Sequence, residues 1–156
     1  MEYIACMFQT HLHIRNELGI FGEETACNLL VQKGYKILER NLKVGDKEID
    51  VVAENKTYIV FVEVKTRSND YVRKPEEYVD AEKQRNMAFA ANAYIKLNHV
   101  EKTPRFDIIG ILADCKSHEI KELTHIEDAF YPPMRTVNRN TFSGQSRWKT
   151  KVARRK

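Results

Sequence analysis

Hydrophobic spacing changes its period several times along this chain, and each change marks an element. From Asn16 to Lys33 the residues Leu18, Phe21, Leu29 and Leu30 recur at helical intervals, and Gly34 follows where a left-handed residue closes a helix. Tyr35–Leu42 reads as a strand ending in a Gly45-Asp46 turn. Glu48–Ala53 and Thr57–Lys65 read as a hairpin across the polar Glu54-Asn55-Lys56 connection. A polar stretch from Ser68 to Tyr78 follows, interrupted by Pro75. Asp80 then caps a helix that runs to Leu97 with Met87, Ala90, Ala91, Tyr94 and Ile95 as its apolar stripe. Phe106–Leu112 and Glu119–Leu123 read as two further strands, and Ile126–Phe130 as a last short turn of helix. The order αβββαββ predicts an α/β fold without internal repeats.

Length and charge divide the chain into regions. Its 156 residues suit one domain, expected over 14–131, with an N-terminal extension over 1–13 and a tail over 132–156. The chain holds 26 basic and 22 acidic residues, yet positions 134–156 hold eight basic side chains and no acid. The rest is therefore net −4, and the overall +4 belongs to the tail beyond Pro132-Pro133. Such an arm is either a solvated extension or a segment that rides on nucleic-acid phosphates, with Arg147, Lys149 and Lys151 as contacts. The apolar runs are far shorter than the ~20 residues a membrane span needs, and the N-terminus does not read as a secretory signal. Cys6, Cys27 and Cys115 are an odd number without metal-site spacing. These features predict a cytoplasmic, reduced protein without a membrane partner.

The third strand carries the first chemical signal. Tyr58-Ile-Val-Phe-Val-Glu-Val-Lys65 is apolar on both faces, as in a central strand, until Glu63 and Lys65 place opposite charges on one of them. Alone, a Glu-x-Lys is most simply an ion pair at a strand end. The neighbouring strand changes that reading. Asp50 lies among apolar residues in Glu48-Ile-Asp-Val-Val, and the hairpin places it opposite Glu63 or one diagonal step away. Two carboxylates held together repel unless a proton or a cation intervenes, and hard oxygen ligands suit Mg²⁺ or Mn²⁺. Glu23 shares the inward face of the first helix with Ala26, Cys27 and Leu30 and is a third candidate ligand, whereas Glu24 looks more solvated. Lys83 leads into Met87, Ala90 and Tyr94, so its head either snorkels at the edge of the stripe or reaches the same cleft.

Six motifs in one order then resemble a known family. They are Leu18-Gly-Ile-Phe-Gly-Glu-Glu-Thr-Ala26, Gly34-Tyr-Lys-Ile-Leu-Glu-Arg-Asn41, Glu48-Ile-Asp50, Phe61-Val-Glu-Val-Lys-Thr-Arg67, Val79-Asp80 with Lys83-Gln84, and Arg105-Phe-Asp107. Together they look like the YraN family of predicted endonucleases, similar to the restriction-endonuclease-like PD-(D/E)XK superfamily and its Holliday-junction resolvases. The resemblance implies a restriction-endonuclease-like core, a mixed central sheet flanked by helices, with Glu23, Asp50, Glu63 and Lys65 at the active-site positions. Lys47 stands where the family usually has Gly, and the Gly that commonly follows the Lys-Thr-Arg motif is missing. The expected activity is Mg²⁺-dependent (or Mn²⁺-dependent) hydrolysis of phosphodiesters by Asp50, Glu63 and Lys65, with Glu23, Asp50 and Glu63 on the metal. Arg67, Lys83 and the tail would hold flanking phosphates. DNA is the expected partner ahead of RNA, cleavage is expected to be structure-selective, and a homodimer would suit a double cut. The competing expectation is a nucleic-acid-binding module that keeps the fold with little or no catalysis.

Overall fold

The computed structural model describes residues 2–68 and 79–131, with residues 2–15 as backbone only. Its elements follow the expected order: α1 (Glu2–Gln32), β1 (Lys36–Val44), β2 (Lys47–Glu54), β3 (Tyr58–Arg67), α2 (Ala81–Leu97), β4 (Thr103–Ala113) and β5 (Ile120–Ile126). The strands form one sheet in the order β1-β2-β3-β4-β5. The β3–β4 pair is parallel and the other three are antiparallel, so the sheet is mixed. This is an α/β architecture consistent with a restriction-endonuclease-like core.

The parallel pair requires a crossover, and α2 supplies it. Asp80 caps α2 by accepting from the Lys83 N–H, as its sequence position suggested. Met87, Ala88, Ala90 and Ala91 pack onto Ile49, Val52, Ile59, Phe61, Phe106 and Ile108 on one face of the sheet. On the other face Leu18, Ala26, Cys27 and Leu30 of α1 pack onto Val51, Ala53, Val60, Val62, Ile109 and Ile111. Residues 59–62 of β3 are fully buried, which explains why that strand is apolar on both sides. Helix α1 closes at Gly34, φ 84°, where the Gly34 N–H donates to the Val31 carbonyl and the Tyr35 N–H to that of Leu30.

Three parts of the chain differ from expectation by more than two residues. Helix α1 begins at Glu2 rather than Asn16, and the helical spacing of Ile4, Met7, Phe8 and Ile14 carries the stripe of Leu18 and Phe21 toward the N-terminus. Strand β4 starts at Thr103 and includes Pro104, since β5 pairs with β4 only from Ile108 onward and leaves the first residues as an edge. Ile126–Phe130 is not helical. β5 runs through Ile126, and the following turn has Asp128 in a left-handed conformation (φ 59°), with its N–H on Asp107. Among the described residues no helix is long and apolar enough to cross a membrane. The tail with Arg147, Lys149 and Lys151, and residues 69–78 of the polar stretch, lie outside the described residues.

Candidate active site

The site forms where β2 and β3 part. Their ladder runs from Glu54↔Ile59 to Val51↔Val62 and stops there. Asp50 and Glu63 are the next residues beyond that last pair, and the Glu63 charge acts on Asp50. The Val64 N–H, which a continued ladder would have offered to the β2 backbone, donates instead to Asp50 Oδ2 at 2.7 Å. Asp50 thus ends the ladder with its side chain, and among the described residues its Oδ1 takes no hydrogen bond.

Glu63 is 2 % exposed and belongs to the same face as Ile59 and Phe61. Burying a carboxylate costs several kcal/mol unless positive charge compensates it, and two lysines do so here. Lys65 Nζ stands 2.6 Å from Oε1, and Lys83 Nζ from α2 stands 2.8 Å from Oε2. Oε2 is buried, and the Lys83 ammonium is its charged partner, with no further hydrogen bond to it among the described residues. Lys83 also reaches the Glu48 carbonyl at 3.4 Å, which ties α2 to the start of β2. Of the two sequence readings of Lys83, the one that brings it into the cleft is the one observed.

Asp50 records the electrostatics of this corner. Burial is the main cause that pushes its carboxyl up, and the negative charges of Glu63 and Glu23 add to it. The Val64 N–H and Lys83 oppose the rise, and the balance stands at about 7. At neutral pH the carboxyl therefore sits between its protonated and charged forms.

Glu23 arrives from α1, and its approach depends on Gly22. A Cβ at Gly22 would lie 1.8 Å from Thr66 Oγ1, so the helix touches β3 through a residue without a side chain. Glu23 is half-buried, and its Oε2 accepts from Asn41 Nδ2 at 3.0 Å. Glu24 is exposed, in keeping with the contrast drawn from sequence. Among the described residues no group of three or more His, Cys, Asp or Glu side chains is gathered closely enough to hold a metal ion. Asp50 and Glu63 form the pair, and Glu23 stands off on Asn41. Arg67 is exposed at the end of β3. Lys47 places its ammonium 5.4 Å from the centre of the Phe89 ring.

A second charged cluster lies on the α1 face, and sequence reasoning assigned it no role. Arg105 donates Nε and an Nη to both oxygens of Asp107 at 2.9 and 2.7 Å, and the same Nη reaches the Tyr35 hydroxyl at 2.8 Å. Asp107 is fully buried and also holds the His125 ring nitrogen Nε2 at 2.8 Å and the Asp128 N–H at 2.9 Å. The alternation of Arg105 and Asp107 in an otherwise apolar strand was the available signal, of the same kind as Glu63 and Lys65.

A family model described as "Uncharacterised protein family UPF0102" matches residues 22–111, which include Glu23, Asp50, Glu63, Lys65 and the Arg105-Phe-Asp107 motif. The chain is similar to the UPF0102 protein of Bacteroides thetaiotaomicron, 44 % identical over 119 residues that cover 76 % of this chain and 96 % of that protein. It is 41 % identical to the UPF0102 protein of Phocaeicola vulgatus over the same shares. It is also 41 % identical to that of Caldanaerobacter subterraneus over 117 residues, 74 % of this chain and 96 % of the relative.

Proposed function

The chain belongs to the UPF0102 family, the YraN family, and from that premise we propose that it is a divalent-metal-dependent endonuclease acting on DNA, selective for structure rather than sequence. One observation carries the reading. Asp50 and Glu63 follow the last paired residues where β2 and β3 part, close enough for the Glu63 charge to act on Asp50, and Lys65 is ion-paired to Glu63.

The donor set fits a hard cation. Glu63 offers a buried oxygen whose close partner is the Lys83 ammonium, and Asp50 Oδ1 takes no hydrogen bond among the described residues. A cation would relieve the Glu63 repulsion that adds to burial in pushing Asp50 up to about 7. Mg²⁺ characteristically uses one or two carboxylates and keeps several waters, so Asp50 and Glu63 would suffice as protein ligands, and Glu23 would join them through water. When bound, the cation supplies polarisation of the scissile phosphate and a more acidic water. The rest falls to the chain. Lys65 is held by Glu63 next to the reacting position, where its ammonium orients the attacking water or meets charge developing on the phosphate. Arg67 contacts flanking phosphates from the strand end, a contact that positions without reading bases. Lys83 is drawn to Glu63 and not outward, so we assign it to the site in place of the flanking-phosphate role.

The other reading, a binding module without catalysis, draws on the same ion pairs, because Lys65 and Lys83 neutralise Glu63 as they would in a purely structural cluster. Cleavage assays separate the two. Junction, flap, single-stranded and linear duplex DNA are incubated with Mg²⁺, Mn²⁺ or EDTA. The nuclease reading expects cation-dependent cleavage that favours branched substrates, with Lys65→Ala and Glu63→Gln each lowering single-turnover cleavage at least ~100-fold while DNA binding persists. Cation-independent binding without cleavage on every substrate would establish the binding module.

The tail makes a separate prediction. With the remainder of the chain net −4, attraction to a polyanion rests heavily on the eight positive charges of 134–156. If about four of them meet duplex phosphates, deleting the tail should reduce the slope of log K against log salt by ~3 to 4, while cleavage of bound substrate survives. An unchanged slope in salt-titrated binding would make the tail a solvated extension.

A further inference from the structure

Asn41 has a left-handed backbone (φ 51°) in the middle of β1, where a strand residue is ordinarily extended. Its neighbours keep the ladder with β2, Arg40 opposite Val51 and Leu42 opposite Ile49, so Asn41 stands opposite Asp50. The alternation of the sheet breaks at this pair. A regular strand would turn Ile49 and Val51 to the same face, yet Val51 packs in the core under α1 and Ile49 in the core under α2. Leu42 joins Ile49 on the α2 side. The reversal falls at the point where β2 leaves β3 and the Asp50 carboxylate takes the Val64 N–H. From the same position Asn41 Nδ2 donates to Glu23 Oε2 at 3.0 Å.

We infer that Asn41 is a positioning residue of the candidate site, whose left-handed backbone turns Asp50 out of the ladder while its side-chain amide holds Glu23 over the opening. The inference deepens the nuclease reading and rests on it. Few side chains can do both. Asparagine tolerates positive φ better than other residues with a side chain and carries a neutral N–H donor. Aspartate would tolerate the backbone but cannot donate and would add a charge beside Glu23. Alanine loses both properties, and glycine keeps only the backbone.

Those differences make the test. Asn41→Gly should leave cation-free unfolding in urea close to wild type, whereas Asn41→Ala should shift the unfolding equilibrium by roughly fivefold or more, because a left-handed alanine is strained. If Asn41 holds Glu23 for a cation, Asn41→Gly should weaken Mn²⁺ binding in calorimetry by roughly tenfold. Adding Asn41→Gly to Glu23→Gln should then weaken it no further, since both changes remove one linkage. In ¹⁵N-correlated spectra without metal, the Asn41 side-chain amide signals should move in Glu23→Gln. Mn²⁺ affinity in Asn41→Gly equal to wild type, or Asn41 amide signals unmoved by Glu23→Gln, would overturn the assignment of Asn41 alone. A wild-type protein that binds no Mn²⁺ would overturn the nuclease reading instead, and the amide signals would still decide whether the Asn41–Glu23 bond exists.

Discussion

Asp50→Asn is expected to make the cation-free protein more stable at pH 8 by about 2–4 kcal/mol, raising Tm by ~5–10 °C, while it removes cation-dependent cleavage. The folded protein holds the Asp50 carboxyl at about 7 against an ordinary value of 3.8, through burial first and the Glu63 charge second. Between those values the folded state carries a proton that the unfolded chain has released. Stability attributable to this group therefore falls as pH rises from about 4 to 7 and stays low above that. Asparagine removes the fall. It also keeps a side-chain oxygen to accept the Val64 N–H, so the end of the ladder survives. The expected curves meet near pH 4 and diverge toward pH 8. Added Mg²⁺ should raise the Tm of wild type, through preferential binding to the folded state, and leave the variant unmoved. Thermal melts of both proteins at pH 4, 6 and 8, with and without Mg²⁺, measure all of this. A variant that melts below cation-free wild type at pH 8 would make Asp50 a structural anchor for Val64 and withdraw it from the site.

The sequence shows the buried acids more clearly than the device that arranges them. A carboxylate in an apolar strand is conspicuous because burial demands compensation, and Glu63 and Asp50 are found in that way. Their pairing follows from counting back from the Glu54-Asn55-Lys56 turn, since antiparallel register is arithmetic once the turn is fixed. Asp80 and Gly34 are legible for a similar reason, as caps are local chemistry. Asn41 is not, because nothing local distinguishes an asparagine that accepts a left-handed conformation from one exposed on a regular strand. Its conformation is demanded by the reversal of Ile49 and Val51 between two cores, which is a property of the packed sheet. Gly22 is similar. A glycine within a helical pattern hints at close approach, but the partner, Thr66, lies 44 positions away. The strand through Ile126 is not legible because Ile120, Leu123 and Ile126 do not alternate at a strand period, which leaves pairing with β4 to decide. The start of α1 at Glu2, by contrast, is present in the helical spacing of Ile4, Met7, Phe8 and Ile14.

Asp107→Asn is expected to cost about 3–5 kcal/mol, the range for breaking a buried ion pair from one side. Asp107 is fully buried with four donors on its two oxygens: Nε and an Nη of Arg105, the His125 ring and the Asp128 N–H. Burial pushes its carboxyl up, but the hydrogen bonds from His125 and Arg105 and the Arg105 charge more than offset this and hold it below the ordinary value of 3.8. Its contribution is therefore fully present above about pH 4 and is lost as the pH falls below that, so the acid limb of the wild-type stability curve should flatten in the variant. Asparagine leaves the Arg105 guanidinium, which is itself buried, with Glu127 at 3.1 Å as its charged partner among the described residues. Glu127 is far more exposed, so Glu127→Gln should cost less than ~1 kcal/mol. The network ties β4 to β5, to the turn at Asp128 and, through Tyr35, to the end of α1, on the face opposite Glu63. Asp107→Asn should accordingly lower Tm while leaving Mn²⁺ affinity at low temperature as in wild type. Urea melts at pH 7 and pH 3.5 with calorimetric titration of Mn²⁺ provide both readings. A loss of Mn²⁺ affinity in a folded Asp107→Asn protein would mean that the two charged clusters are coupled through β3 and β4, where Glu63 pairs with Ile108 beside Asp107.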